Sequence, residues 1–366
     1  MRIVIAPDSF KGSATAVEVA RAIAAGWRSV RAEDDIRMLP MADGGEGTLD
    51  AFELAIPGSR RMPVTVTGPD GRPVAASWLL LPGSEDVPHG TAVVELASTS
   101  GITLLDPLAP FDAHTLGFGE AIDNALDHGV SSLLLGIGGS SSTDGGAGAL
   151  TALGARLLDA GGHPVPLGNR GLERVELIDD SRLRPVPAAG ARILSDVTSP
   201  LLGDDGAARV FGPQKGAAVG DILVLESGLR RLVRFLTADP DAPGAGAAGG
   251  TGFGLLSWGA TMAPGAAAVG EALGIPDAVA HADIVITGEG RFDAQSAAGK
   301  VPAYVAACAA RAQAQAMLVA GGIEAPTEEF VAARSLTELA GGLSGALADP
   351  LRWLTAAGAA LADAAR

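Results

Sequence analysis

The sequence predicts an α/β protein built as two domains, with the chain's two ends sharing one domain and its middle inserted as the other. Three observations lead there. Short apolar runs alternate with helix-period segments at both ends of the chain, the pattern of layers around a parallel sheet. A hairpin-like stretch near 62–82 breaks that alternation, which resumes near 283. At 366 residues the chain is long for a single hydrophobic core. The expected division is therefore 1–62 plus 283–366 for the discontinuous domain and 63–282 for the insert, with a cleft between them.

The elements follow in order. "RIVIAPDS" at the start reads as a short buried strand ending in a Pro-Asp turn. Residues 14–30 place Val17, Ala20, Ile23 and Trp27 on one helical face. "DIRMLPMADGGEG" is a second strand, a Gly-rich turn and the start of another helix. "MPVTVTGPDGRPVAASWLLLPG" alternates like two strands joined by "GPDGR", and "TAVVELAS" is a further strand. "TLGFGEAIDNALDHG" reads as a helix. "VSSLLLGIGGSSSTDGGAGALTALGARLLD" reads as strand, glycine loop and helix. Residues 239–252 form a loop leading into a Gly-rich helix. Strand–loop–helix order returns at "ADIVITGEGRFDAQSAAGKVPAYVAACAARA" and again at "AQAMLVAGG", and an alanine-rich helix closes the chain at 350–365.

Composition excludes several classes. The net charge of −16 opposes a nucleic-acid partner, because a phosphate backbone needs a basic surface. No apolar run approaches the roughly 18–20 residues of a membrane span, and "IVIA" is too short for a signal-peptide core. A lone cysteine, Cys308, can form neither an internal disulfide nor a Cys-based zinc site, and it fits a reducing cytoplasm. The five histidines lack metal-ligand spacing, and "GSSSTDGG" has no nucleophile elbow.

What remains points to phosphate chemistry. Only three of the 26 basic residues are lysine, and Lys11, Lys215 and Lys300 each sit next to glycine, in "DSFKGS", "GPQKGA" and "AAGKVP". A compact ammonium differs from a broad guanidinium where an anion must be met in a tight space. The stretch "LLLGIGGSSSTDGGAGAL" runs an apolar strand into six glycines and four hydroxyls before a helix opens near Gly145. Bare backbone N–H groups and a helix N-terminus gathered at one point suit a phosphate. It is neither a Walker A loop nor GxGxxG, and the plainer reading is a tight turn capped by Ser142, Thr143 or Asp144. Carboxylates recur beside such loops: Asp8, Asp43, Glu46, Asp144, Asp196, Glu289 and Asp293. Most lie just past a predicted strand, where open α/β sheets bind ligands. Carboxylates, glycine loops and isolated lysines are together the parts of a phosphoryl-transfer site.

"APDSFKGS", "MADGGEGT", "GIGGSSSTDGG", "DVTSPLLG", "FGPQKGA", "PGAGAAGGTG" and "TGEGRFDAQSAAGKVP" occur in this order from residue 6 to 302. With this set the chain closely resembles the bacterial glycerate kinase family of the glyoxylate and sugar-acid pathway type. The resemblance spans essentially the whole chain. It implies ATP- and Mg²⁺-dependent phosphorylation of D-glycerate, usually at the 2-hydroxyl. It also implies that the discontinuous domain is Rossmann-like, with the active site in the cleft. The motif positions are Asp8, Ser9, Lys11, Asp43, Glu46, Gly138, Gly139, Asp144, Asp196, Lys215, Glu289, Asp293 and Lys300.

Roles within that set are assigned by chemistry alone. Asp196, Lys215, Lys11 and Asp293 are the catalytic candidates, with Asp196 as proton acceptor or Mg²⁺ ligand. Asp144 is the second metal candidate. Asp8, Ser9, Asp43, Glu46, Gly138, Gly139, Ser140, Ser141, Glu289 and Lys300 are the substrate- and nucleotide-binding candidates. Two positions depart from the family pattern: Ser142-Thr143 where relatives often carry Thr-Asn, and Leu116 where arginine or tyrosine is common. The other classes weighed are an Mg²⁺-dependent phosphatase or related phosphotransferase, and a catalytically silent sensor. Glycerate is the expected partner, with no nucleic acid and no membrane, and a homodimer is the assembly to test.

Overall fold

The structure, a computed structural model, describes residues 1–294 and 300–365. The strands in chain order are β1 (Arg2–Ile5), β2 (Asp35–Met38), β3 (Arg60–Thr67), β4 (Pro73–Leu81), β5 (Thr91–Glu95), β6 (Ser132–Gly136) and β7 (Arg156–Leu158). They continue as β8 (Leu177–Asp179), β9 (Ala191–Leu194), β10 (Thr261–Ala263), β11 (Ile284–Phe292), β12 (Gln315–Ile323) and β13 (Ala332–Ser335). The chain separates into two compact units: residues 1–43, 50–57 and 265–366 in the first, 44–49 and 58–264 in the second.

In the first unit five strands form one sheet in the order β13-β12-β11-β1-β2, every pairing parallel. Strands from both ends of the chain thus share a sheet. Ile3, Val4 and Ile5 of β1 are all buried, as a central strand covered on both faces requires. The helix Ala16–Val30 begins at a reciprocal cap: Glu18 N–H donates to Thr15 Oγ1 at 3.2 Å, and Thr15 N–H donates to the Glu18 carboxylate at 2.9 Å. Its buried stripe contains Val19, Ala20, Ile23 and Trp27. Ala16 is buried on the same helix, whereas Val17, expected on that face, is only half-buried. The helix packs against Pro350–Ala364, whose Leu354, Ala357 and Leu361 complete this core.

The second unit holds a six-stranded sheet, order β10-β9-β6-β5-β4-β3. β5, β6, β9 and β10 run parallel, and β3–β4–β5 is antiparallel, so the 62–82 stretch is the expected hairpin. The helix Leu116–Asp127 lays Phe118, Ala121, Ile122 and Ala125 on the core. The helix after the glycine loop is short, Ala147–Ala152, and does not run on to 159. Gly154 ends it with a φ of +107°, and the chain then forms the β7–β8 ribbon. Among the described residues, no helix is long and apolar enough to cross a membrane.

Candidate active site

In the second unit β6 delivers the chain into the loop 137–146. Gly138 N–H donates to Gly44 O at 2.9 Å, and a side chain at 138 would put its Cβ 2.6 Å from Gly45 Cα. The glycine here is required by backbone packed on backbone from the 44–45 turn, not by an approaching anion. Ser141 Oγ donates to Ser100 O at 2.8 Å, fixing the middle of the loop.

Asp144 is fully buried and accepts four hydrogen bonds: from Thr115 N–H (2.9 Å), Thr115 Oγ1 (2.8 Å), Gly146 N–H (3.1 Å) and Gly148 N–H (3.1 Å). Both carboxylate oxygens are therefore occupied by protein donors, and Asp144 acts as the brace of the loop. Three of these bonds go to Oδ2 and one to Oδ1, so a metal at Asp144, the role expected from the sequence, would have to share a carboxylate already engaged with the protein. Asn169 Nδ2 ties the loop from the other side, donating to Thr143 O (2.8 Å) and Leu225 O (2.9 Å).

Lys215 reaches the same loop. It lies in a short 3₁₀ turn, is only 2% exposed, and its Nζ donates to Ser140 Oγ at 2.8 Å and to Ser142 O. Burial pushes the ammonium down to about 7, and the Asp144 charge opposes that shift. Gly249 closes the arrangement. Its φ is +68°, and a Cβ there would fall 2.0 Å from Ser142 O and 2.8 Å from Lys215 Nζ. Ala248 beside it adopts φ +54°, a left-handed conformation uncommon for a residue with a Cβ. Two hydroxyls of the loop, Ser142 Oγ and Thr143 Oγ1, are buried with no hydrogen-bond partner among the described residues. They are the loop's uncommitted polar groups.

Asp196 stands two residues past β9 and is exposed. Glu46 is exposed too. Among the described residues, no group of three or more His, Cys, Asp or Glu is gathered to hold a metal ion. Mg²⁺ does not need such a cage, because it commonly keeps several waters and takes one or two carboxylates plus phosphate oxygens. An exposed carboxylate such as Asp196 fits that mode of binding.

The first unit carries a separate cluster. Asp8 follows β1, its N–H donating to Gly288 O at 2.8 Å and its Oδ1 accepting from Ser9 N–H at 2.6 Å. Lys11 Nζ lies 3.3 Å from Asp43 Oδ2. Glu289 is buried, and it sits inside β11 rather than past its end. Partial burial, then the Asp43 charge, push the Asp8 carboxyl up to about 7, while Ser9 N–H and Lys11 oppose and Glu289 adds to the rise. Asp293 lies 3.9 Å from Arg291 Nε, and Arg291 also pairs with Glu324. Lys300 is exposed at the start of the helix Val301–Ala312. The "QSAAG" part of the last motif lies outside the described residues.

Thr115, Ser100 and Asn169 were not among the sequence candidates. Thr115 donates to the Asp144 carboxylate, Ser100 O accepts from Ser141 Oγ and Asn169 Nδ2 donates to Thr143 O, and nothing in their own neighbourhoods in the chain signals these contacts. Gly249 lay within a quoted motif, but its role appears only once Ser142 and Lys215 are beside it.

A model of the glycerate kinase family matches residues 3–366. A glycerate 2-kinase of Escherichia coli K12 is 42% identical over 332 residues, covering 88% of this chain and 86% of that protein. A glycerate kinase of Halalkalibacterium halodurans is 41% identical over 330 residues, covering 88% and 85%. A solved structure from Salmonella typhimurium LT2, described as a candidate glycerate kinase 2, superposes with a TM-score of 0.85 at 40% identity, covering 100% of this chain and 98% of that one. With its loop brace, buried lysine and carboxylate cluster on two α/β units, the chain belongs to the glycerate kinase family.

Proposed function

We propose that this protein transfers the γ-phosphoryl group of ATP to the 2-hydroxyl of D-glycerate, giving 2-phosphoglycerate and ADP. The observation that carries the reading is the 42% identity to a glycerate 2-kinase over nearly nine-tenths of the chain. The site geometry supports it. A glycine loop held from three sides by Lys215, Asp144 and Asn169, with two uncommitted hydroxyls, is a pre-organised platform for an anion. Mg²⁺ bound with the nucleotide supplies charge neutralisation at the phosphates, and Asp196 is the residue proposed to hold it.

Lys215 contributes by fixing the loop at Ser140 and Ser142 rather than by standing free in front of a phosphate. Lys11, Asp43 and Glu289 are proposed as polar groups around the acceptor, and Asp293 and Lys300 as further binding groups. The enzyme is expected to work in the cytoplasm, where Cys308 stays reduced. An ADP-release assay with and without D-glycerate tests the reading. Release that depends on both ATP and glycerate supports it. Phosphate release from phosphorylated acids without a nucleotide would instead indicate a phosphatase.

A further inference from the structure

The carboxylates of this chain do not all have a partner in the reaction proposed above. Asp8 is the one whose place in the fold decides its use. In the first sheet β1 lies between β11 and β2. From β1 the chain crosses to β2 on one side, whereas β11 leads to β12 and β13 on the other. The strand order therefore reverses between β1 and β11. In open parallel sheets ligands bind at such a switch point, beyond the carboxyl ends of the strands. Asp8 stands there: β1 ends at Ile5, and Asp8 N–H is hydrogen-bonded to Gly288 O of β11, one residue before Glu289.

Its surroundings differ from those of the other candidates. Asp144 is saturated with hydrogen bonds. Asp196 is exposed to water, and Asp293 stands by Arg291. Asp8 is partly buried and lies within the field of Asp43 and Glu289, two like charges, with the Lys11 charge opposing them. Like charges and burial make a carboxylate hold a proton more strongly, which is what a proton acceptor for an alcohol needs near neutral pH.

We propose that Asp8 is the general base of the transfer and that the acceptor hydroxyl of glycerate binds at the switch point between β1 and β11. The inference rests on the glycerate kinase reading above. As the glycerate oxygen forms its bond to the γ-phosphorus, the bond from that phosphorus to the β–γ bridging oxygen breaks. ADP leaves with that electron pair, and the hydroxyl proton passes to the Asp8 carboxylate. Lys11 and Asp43 act on Asp8 in opposite directions: Lys11 favours its charged form and Asp43 disfavours it.

The test is the pH profile of kcat/KM for D-glycerate at saturating MgATP, for wild type, Asp8→Asn, Lys11→Met and Asp43→Asn. Wild type should lose activity below a midpoint near pH 7, where Asp8 becomes protonated. Asp8→Asn should fall by about 10²–10⁴-fold at pH 8 and lose that acidic limb. Lys11→Met should move the midpoint up and Asp43→Asn should move it down, whatever either does to the absolute rate. A purely structural role for Asp8 predicts no such opposed shifts. The proposal is overturned if Asp8→Asn stays within about threefold of wild type or keeps the limb, or if the two neighbour variants leave the midpoint in place. Should Asp8→Asn fail to fold by circular dichroism, the opposed shifts decide alone. Absence of glycerate turnover by wild type removes the kinase reading itself, whereas turnover with an unaffected Asp8→Asn removes only this inference.

Discussion

Replacing Lys215 by arginine keeps the charge and removes the fit. The side chain is almost fully enclosed, and the space beside its Nζ is so small that a Cβ on Gly249 would lie 2.8 Å away. A guanidinium is broader and planar, and its donors point elsewhere. Overpacking a closed site costs about 1–3 kcal/mol, and each misdirected charge-assisted hydrogen bond forfeits about 1.5–3 kcal/mol. Overpacking together with one lost hydrogen bond comes to about 2.5–6 kcal/mol, a Tm lower by roughly 5–24 °C. Lys215→Met keeps most of the stem and leaves Ser142 O without this donor, a loss of about 1–3 kcal/mol, but it also removes a buried ammonium. The folded-state value near 7 lies below the ordinary 10.5, so the penalty for the charge is fully present below pH 7 and fades as pH rises from 7 to 10.5. The Met variant should therefore compare best with wild type at pH 6 and worse at pH 9. Thermal unfolding across that range, with kcat/KM on the same samples, is the assay. Both variants should lose at least about tenfold in kcat/KM, since a misplaced loop forfeits about 1.4 kcal/mol or more of transition-state stabilisation. An arginine variant with wild-type Tm and wild-type kcat/KM would show that the lysine does not hold the loop, and the reasoning would fail.

Asp144→Ala strands four buried donors, two from Thr115 and one each from Gly146 and Gly148. It should lower Tm more than Asp144→Asn does, and excess Mg²⁺ should not restore activity to either; rescue by Mg²⁺ would return Asp144 to the metal. Asp196→Asn should raise the Mg²⁺ concentration for half-maximal rate with Tm unchanged, and an unaltered Mg²⁺ dependence would leave Asp196 a turn residue. Asp8→Asn should raise Tm at pH 8 relative to wild type. The folded carboxyl near 7 lies above its ordinary 3.8, so wild type loses stability as pH rises through that window. The gap should close toward pH 4, and a constant gap would mean that Asp8 is not strained by its neighbours.

The sequence was legible where local pattern and tertiary outcome coincide. The hairpin "MPVTVTGPDGRPVAASW" carries period-two alternation around a turn, and β3–β4 follows it closely. The strand-to-loop step at Gly136–Gly139 was equally visible. Less legible was what the loop residues do. Asp144 has the composition of a metal ligand, and only the fold brings Thr115 to it from 29 residues away. Lys215 reads as a free cation until burial and Ser142 O are known. Glycine at 138 reads as room for an anion, although the space is taken by the 44–45 backbone. Asp8 was visible as a carboxylate after a strand, but its place between β1 and β11 depends on a pairing across some 280 residues of sequence.

The account stands most directly on the chemical identity of the product. ³¹P NMR of a reaction containing the purified enzyme, MgATP and D-glycerate should show ADP and 2-phosphoglycerate rising together in equal amounts, with no signal for the 3-isomer. Growth of 3-phosphoglycerate, or of inorganic phosphate without a phosphorylated acid, would contradict it.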